Sequence, residues 1–140
     1  MVSDKKLMWE EKYSVGVQLI DDQHKKMFAT INELIDAIRT TPTKEKLMGI
    51  IGQLVQYKKF HFATEERYFD EFHYEKTAEH KAAHNEFNDN LVALQAKYTA
   101  DDQTIEFAFA LVDFLEDWLI NHLMTADQEY KECFKEHGLK

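Results

Sequence analysis

The segment His61-Phe62-Ala63-Thr64-Glu65 and, fifteen positions after Glu65, the segment His80-Lys81-Ala82-Ala83-His84 decide how this chain is read. In each, two side chains able to bind a metal stand four residues apart. On an α-helix that spacing puts them on one face about one turn apart, ~6 Å along the axis. Working outward, His24 lies in a helical pattern upstream, and His122 followed by Asp127 lies in another downstream.

The apolar periodicity around these residues predicts four helices. Over 18–40 the inward stripe is Ile20, Met27, Ile31, Leu34 and Ile38, with His24 on the same stripe. Thr41 and Pro42 form a helix-start pair, as N-cap and first helical residue. A second helix is therefore expected over 42–72, its seam carrying Leu47, Ile51, Leu54, His61, Glu65, Tyr68 and Phe72. Lys58 falls on that seam by spacing and is expected to snorkel outward. The third helix, 76–98, reads His80, His84, Phe87, Leu91, Leu94 and Tyr98. After the Thr-Ala-Asp-Asp turn, a fourth helix over 102–132 reads Ala108, Leu111, Leu115, Trp118 and His122. Residues 1–17 show no helical period, and Trp9, Tyr13, Val15 and Val17 look like the anchors of an extended arm.

Four amphipathic helices joined by short turns pack most simply as an antiparallel up-down-up-down bundle. The expected fold is thus all-α, one domain over 1–140 with an extended N-terminal arm. In that topology the start of the first and third helices and the end of the second and fourth share one end of the bundle. Those are the places of His24, of His80 and His84, of His61 and Glu65, and of His122 and Asp127. With 26 acids in 140 residues, a histidine meets an acid four positions on by about one chance in five, so each pair alone is weak. Five histidines on the inward seams at one end are different, because every buried imidazole nitrogen needs a partner. His73 and His137 fall off the seams and read as surface residues.

Imidazole and carboxylate without thiolate suit iron, zinc or manganese, and seven ligands exceed what one ion takes. Two ions bridged by two carboxylates and an oxo or hydroxo group would use the set economically and leave one position open. The lining expected for that opening, Met27, Phe28, Phe62, Trp118 and Leu119, would admit something small and apolar. The five-residue step from His122 to Asp127 is awkward, about 140° round an ideal helix. Either a π-bulge or a loosening of the helix would bring Asp127 round, and Glu116, Asp117 and Glu129 compete as the acid ligand.

Composition narrows the classes. A net charge of -9, with acids spread along the chain, argues against nucleic acid. No apolar run approaches the roughly 20 residues of a membrane span. The single cysteine, Cys133, cannot form an internal disulfide, and the N-terminal residues do not resemble a signal peptide, so a cytoplasmic setting is expected.

The whole pattern resembles the hemerythrin family: the arm Trp9 to Val17 leading into Ile20-Asp21-Asp22-Gln23-His24, then His61-x3-Glu65, His80-x3-His84 and His122-x4-Asp127. Stand-alone bacterial members look the most similar. The resemblance implies two irons, one held by His80, His84 and His122, the other by His24 and His61, bridged by Glu65, Asp127 and an oxo or hydroxo group. It also selects Asp127 over its competitors. The implied activity is reversible dioxygen binding, for storage or for delivery to a protein acceptor, with a reductase as a further possible partner. The implied protein is a carrier rather than an enzyme. The alternatives are a di-iron enzyme turning over peroxide or nitric oxide, an iron donor, or a redox, O2 or NO sensor.

Overall fold

A computed structural model describes residues 6–40, 43–98 and 103–140. Six helices follow a short 3-10 turn at Glu11–Tyr13: α1 Gln18–Arg39, α2 Lys44–Phe72, α3 Thr77–Ala96, α4 Thr104–Met124, α5 Ala126–Glu129 and α6 Lys131–Glu136. The four long helices form the bundle, with α1 packed on α2 and α4, and α3 packed on the same two. Among the described residues no helix is long and apolar enough to cross a membrane.

The helix ends follow from local chemistry. Thr43 caps α2, its hydroxyl accepting from Lys46 N–H at 3.1 Å, so the helix begins at Lys44 rather than at residue 42. Thr41 and Pro42, expected as the starting pair, lie outside the described residues, as does the turn at 99–102. His73 closes α2 in the left-handed conformation, φ 52°, and lets the chain reverse into α3. The fourth expected helix is not continuous. α4 stops at Met124, Thr125 turns with φ -119° and ψ -85°, and the short α5 and α6 follow.

Two apolar clusters stack along the bundle axis. The larger runs between the four helices and includes Ile31, Leu34, Leu47, Ile51, Phe87, Leu111 and Leu119. The smaller closes one end, where Val15 and Val17 of the arm meet Ile20, Phe69, Tyr74, Tyr130 and Phe134. The arm is held by a reciprocal pair, Leu7 N–H donating to Asn32 Oδ1 at 2.7 Å and Asn32 Nδ2 donating to Leu7 C=O at 2.9 Å. Gly16, at φ 78°, makes the turn into α1 that a side chain would strain. The layer between the two clusters is polar, and it is the site.

Candidate metal centre

All seven side chains singled out by spacing reach this layer, and each is at most 7% exposed. α1 brings His24, α2 His61 and Glu65, α3 His80 and His84, and α4 His122. Such convergence requires alternate helices to run in opposite directions. Asp127 arrives on α5: the break at Thr125 swings it round, so of the two alternatives a loosening of the helix, not a π-bulge, solves the five-residue step. Of its competitors, Glu129 is turned outward to Lys76 and Asp117 is exposed.

Two groups of ligand atoms form within this layer, Glu65, His80, His84 and His122 in one and His24, His61, Glu65 and Asp127 in the other. Glu65 belongs to both, its Oε1 lying 3.4 Å from His61 Nε2 and 3.1 Å from His84 Nε2. Asp127 also reaches both sides. Its Oδ1 is 3.1 Å from His80 Nε2 and 3.0 Å from His122 Nε2, while Oδ2 is 3.3 Å from His24 Nε2.

The donor atoms fit cations better than they fit one another. His24 Nε2 faces His61 Nε2 at 2.9 Å and His122 Nε2 faces His80 Nε2 at 3.1 Å, so imidazole nitrogens point at each other in pairs. Glu65 Oε1, His84 Nε2 and both Asp127 oxygens are buried without a hydrogen bond. Leaving such atoms unpaired costs about 1–3 kcal/mol each, more when charged, and metal coordination removes that cost.

A surrounding shell orients the donors, and most of it escapes a reading of helical seams. His61 Nδ1–H donates to Gln23 Oε1 at 2.7 Å and His84 Nδ1–H to Glu66 Oε2 at 2.7 Å, which directs each Nε2 lone pair inward. Gln23 and Glu66 each sit one residue from a seam position, about 100° off the face that periodicity selects. Tyr130, beyond the break in the fourth helix, donates its hydroxyl to Glu65 Oε2 at 2.6 Å and is itself 0% exposed.

Electrostatics follow from burial. Desolvation pushes His61 down to about 3, outweighing the nearby Glu65, so its ring is neutral and available as a ligand at neutral pH. For His122 desolvation also acts downward, but the adjacent Asp127 prevails and the net direction is up. Burial acts upward on Asp127 and Glu65, and the surrounding imidazoles overcome it, holding both carboxyls below their usual range. Burial, together with the two carboxylates, pushes the Tyr130 phenol well above its usual range and keeps it a donor.

Above the layer lies a cavity of about 40 Å³, against the roughly 10–15 Å³ one water requires. Met27, Phe62, Trp118 and Leu119 line it as expected, together with Ile31, Leu54 and others. Phe28 does not. One residue on from Met27, it is rotated toward the arm and packs against Trp9 and Tyr13, ring centroids 5.8 and 5.7 Å away. Phe62 stacks on His84 at 3.7 Å and Trp118 on His122 at 4.2 Å, so the aromatic wall also braces the imidazoles. The surface assignment of His73 and His137 holds; both are exposed.

A four-helix bundle with a nitrogen-rich, carboxylate-sharing layer that could hold two metal ions defines the class of protein. The sequence model of the hemerythrin HHE cation-binding domain matches residues 15–134, and the chain belongs to that family. Among its relatives, a bacteriohemerythrin of Clostridium acetobutylicum is 29% identical over 126 residues, 88% of this chain and 97% of the relative. A hemerythrin-like protein of Naegleria gruberi is 31% identical over 123 residues, 88% of this chain and 89% of the relative. The crystal structure of a wild-type hemerythrin superposes with a TM-score of 0.74 at 28% identity, covering 92% of this chain and 98% of that one.

Proposed function

We propose that the chain binds dioxygen reversibly at two irons, with His80, His84 and His122 holding one, His24 and His61 the other, and Glu65 and Asp127 bridging. The observation that carries this reading is where the cavity opens. Both histidines of the two-histidine group, His24 and His61, line it, whereas His122 alone does so from the three-histidine group. The more weakly furnished ion would therefore face the apolar space. When bound, the irons supply the electrons and the open coordination position that dioxygen binding requires.

The protein's own residues do the rest. Gln23 and Glu66 fix the tautomer of His61 and His84 by accepting their Nδ1–H. Tyr130 holds one oxygen of Glu65. Met27, Phe62, Trp118 and Leu119 limit the access of water to the centre, which favours release of dioxygen intact over irreversible oxidation. Carriage asks for no side chain that donates or removes a proton, and the role we assign is storage, or delivery to an acceptor protein, rather than catalysis. We place it in the cytoplasm, on the lone free thiol of Cys133.

An anaerobic iron titration of the reduced protein, then exposure to air and afterwards to argon, tests the proposal. Two irons per chain and a visible absorption band that comes with air and goes under argon are expected. A band that decays once to an oxidised spectrum would make the protein an enzyme or a redox sensor instead.

A further inference from the structure

The cavity has one feature the dioxygen reading leaves unused. Val55, Lys58, Leu115 and Trp118 are its partly exposed lining residues, and they mark where it approaches the surface between α2 and α4. Among the described residues Lys58 is the sole ammonium in an otherwise apolar wall above the polar layer. Half-buried, it is turned back onto its neighbours instead of snorkelling freely outward as expected from its seam position. Its Nζ donates to Asn88 Oδ1 on α3 and lies over two ring faces, 5.8 Å from the centroid of Phe62 and 5.6 Å from that of Phe87. Phe62 in turn stacks on His84.

This placement differs from that of ordinary surface lysines in the same chain. Lys6, Lys76 and Lys81 pair with Asp36, Glu129 and Asp70. Among the described residues no carboxylate pairs with Lys58, so its charge is answered by an amide oxygen and two aromatic faces. Burial pushes its pKa below the usual lysine range, with Lys59 adding to the effect, as expected for a cation drawn into the wall.

We infer that Lys58 sets the selectivity of the cavity between neutral and anionic small ligands, giving the mouth a cationic charge that draws inorganic monoanions toward the metal centre. The inference rests on the two-iron reading. A monoanion approaching from solvent meets a protein of net charge -9, and a half-buried unit positive charge at the mouth offsets that repulsion locally. A neutral diatomic feels neither. For one unit charge acting at a protein surface, the effect on anion association is about tenfold at low ionic strength.

The experiment uses the iron-loaded, oxidised protein and azide as the monoanion, with Lys58→Met and Lys58→Arg as variants. Iron per chain is measured first, and parent protein without two irons would sink the two-iron reading and this inference with it. With iron in place, Lys58→Met is expected to lower the azide association rate about tenfold relative to the dioxygen association rate of the reduced form. Lys58→Arg is expected to keep most of it. Raising the salt concentration should slow azide association in the parent and accelerate it in Lys58→Met, where repulsion by the net negative charge of the protein is left to be screened. Equal azide rates in all three loaded proteins, or an equal loss in Arg and Met, would overturn the role of Lys58 alone.

Discussion

Replacing Tyr130 by Phe removes one oxygen atom and leaves the packing. The ring stacks on Phe134 at 4.4 Å and tilts against Phe69 at 5.3 Å, contacts Phe would keep. What is lost is a buried 2.6 Å hydrogen bond to Glu65 Oε2. A hydrogen bond to a charged group contributes about 1.5–3 kcal/mol, and here the carboxylate has no water to turn to. Scaling unfolding entropy to a chain of this size, about 2 kcal/mol lowers the melting temperature by roughly 7 °C. Because the same bond orients a shared ligand, metal loss should accelerate by about 10–100-fold. The assays are a thermal melt and stopped-flow transfer of iron to an excess of chelator, both on loaded protein. A Tyr130→Phe protein that melts with the parent and releases iron at the parent's rate would refute the reasoning, since Glu65 would then need no help from the phenol.

Asp127→Ala should lower iron loading below two per chain in metal analysis, because both sides of the layer lose one donor; full loading would move the bridge to another acid. Thr43→Ala should cost about 1 kcal/mol in urea unfolding, read as a shift in midpoint at constant slope. Acidification should destabilise the metal-free protein between about pH 6.5 and 3. Over that range the unfolded chain protonates His61 while the folded one, with its pKa at about 3, does not. Glu65 and Asp127 act in the same sense at the acid end, where their depressed pKa values make protonation unfold the chain. His122, raised, acts oppositely and loses its contribution as pH climbs above its usual value. Circular dichroism across a pH series checks the sum.

The buried polar layer was legible because side chains that meet inside a bundle must come from inward faces, and a period of 3.6 names those faces residue by residue. His24, His61, His80, His84 and His122 all lie on such stripes. The shell behind them was less so. Gln23 and Glu66 contact the outer nitrogens from beside the seam, where periodicity gives no signal. Tyr130 lies past a break that neither proline nor glycine announces; Thr125 turns because Asp127 and the small apolar cluster take hold beyond it. Phe28 shows the opposite error, since its place next to Met27 suggested the cavity while the arm, absent from any helical pattern, claimed its ring. Thr41 before Pro42 is the cap that residue type favours, and the Thr43 hydroxyl, accepting from Lys46 N–H, is what marks the start of α2 at Lys44.

The arrival of Asp127 on α5 has a consequence for biosynthesis. Forty-three residues separate it from His84, so a ribosome adding about 5–20 residues per second makes four of the five histidines some 2–9 s before Asp127 exists. Over that interval the nascent chain offers imidazoles in loose array, with no enclosed pair of positions to discriminate between cations. Closure waits for α5 and α6 to dock beneath Phe69 and the arm. Enclosure of the layer is thus the work of the two short helices, completed only after all four long ones have been made.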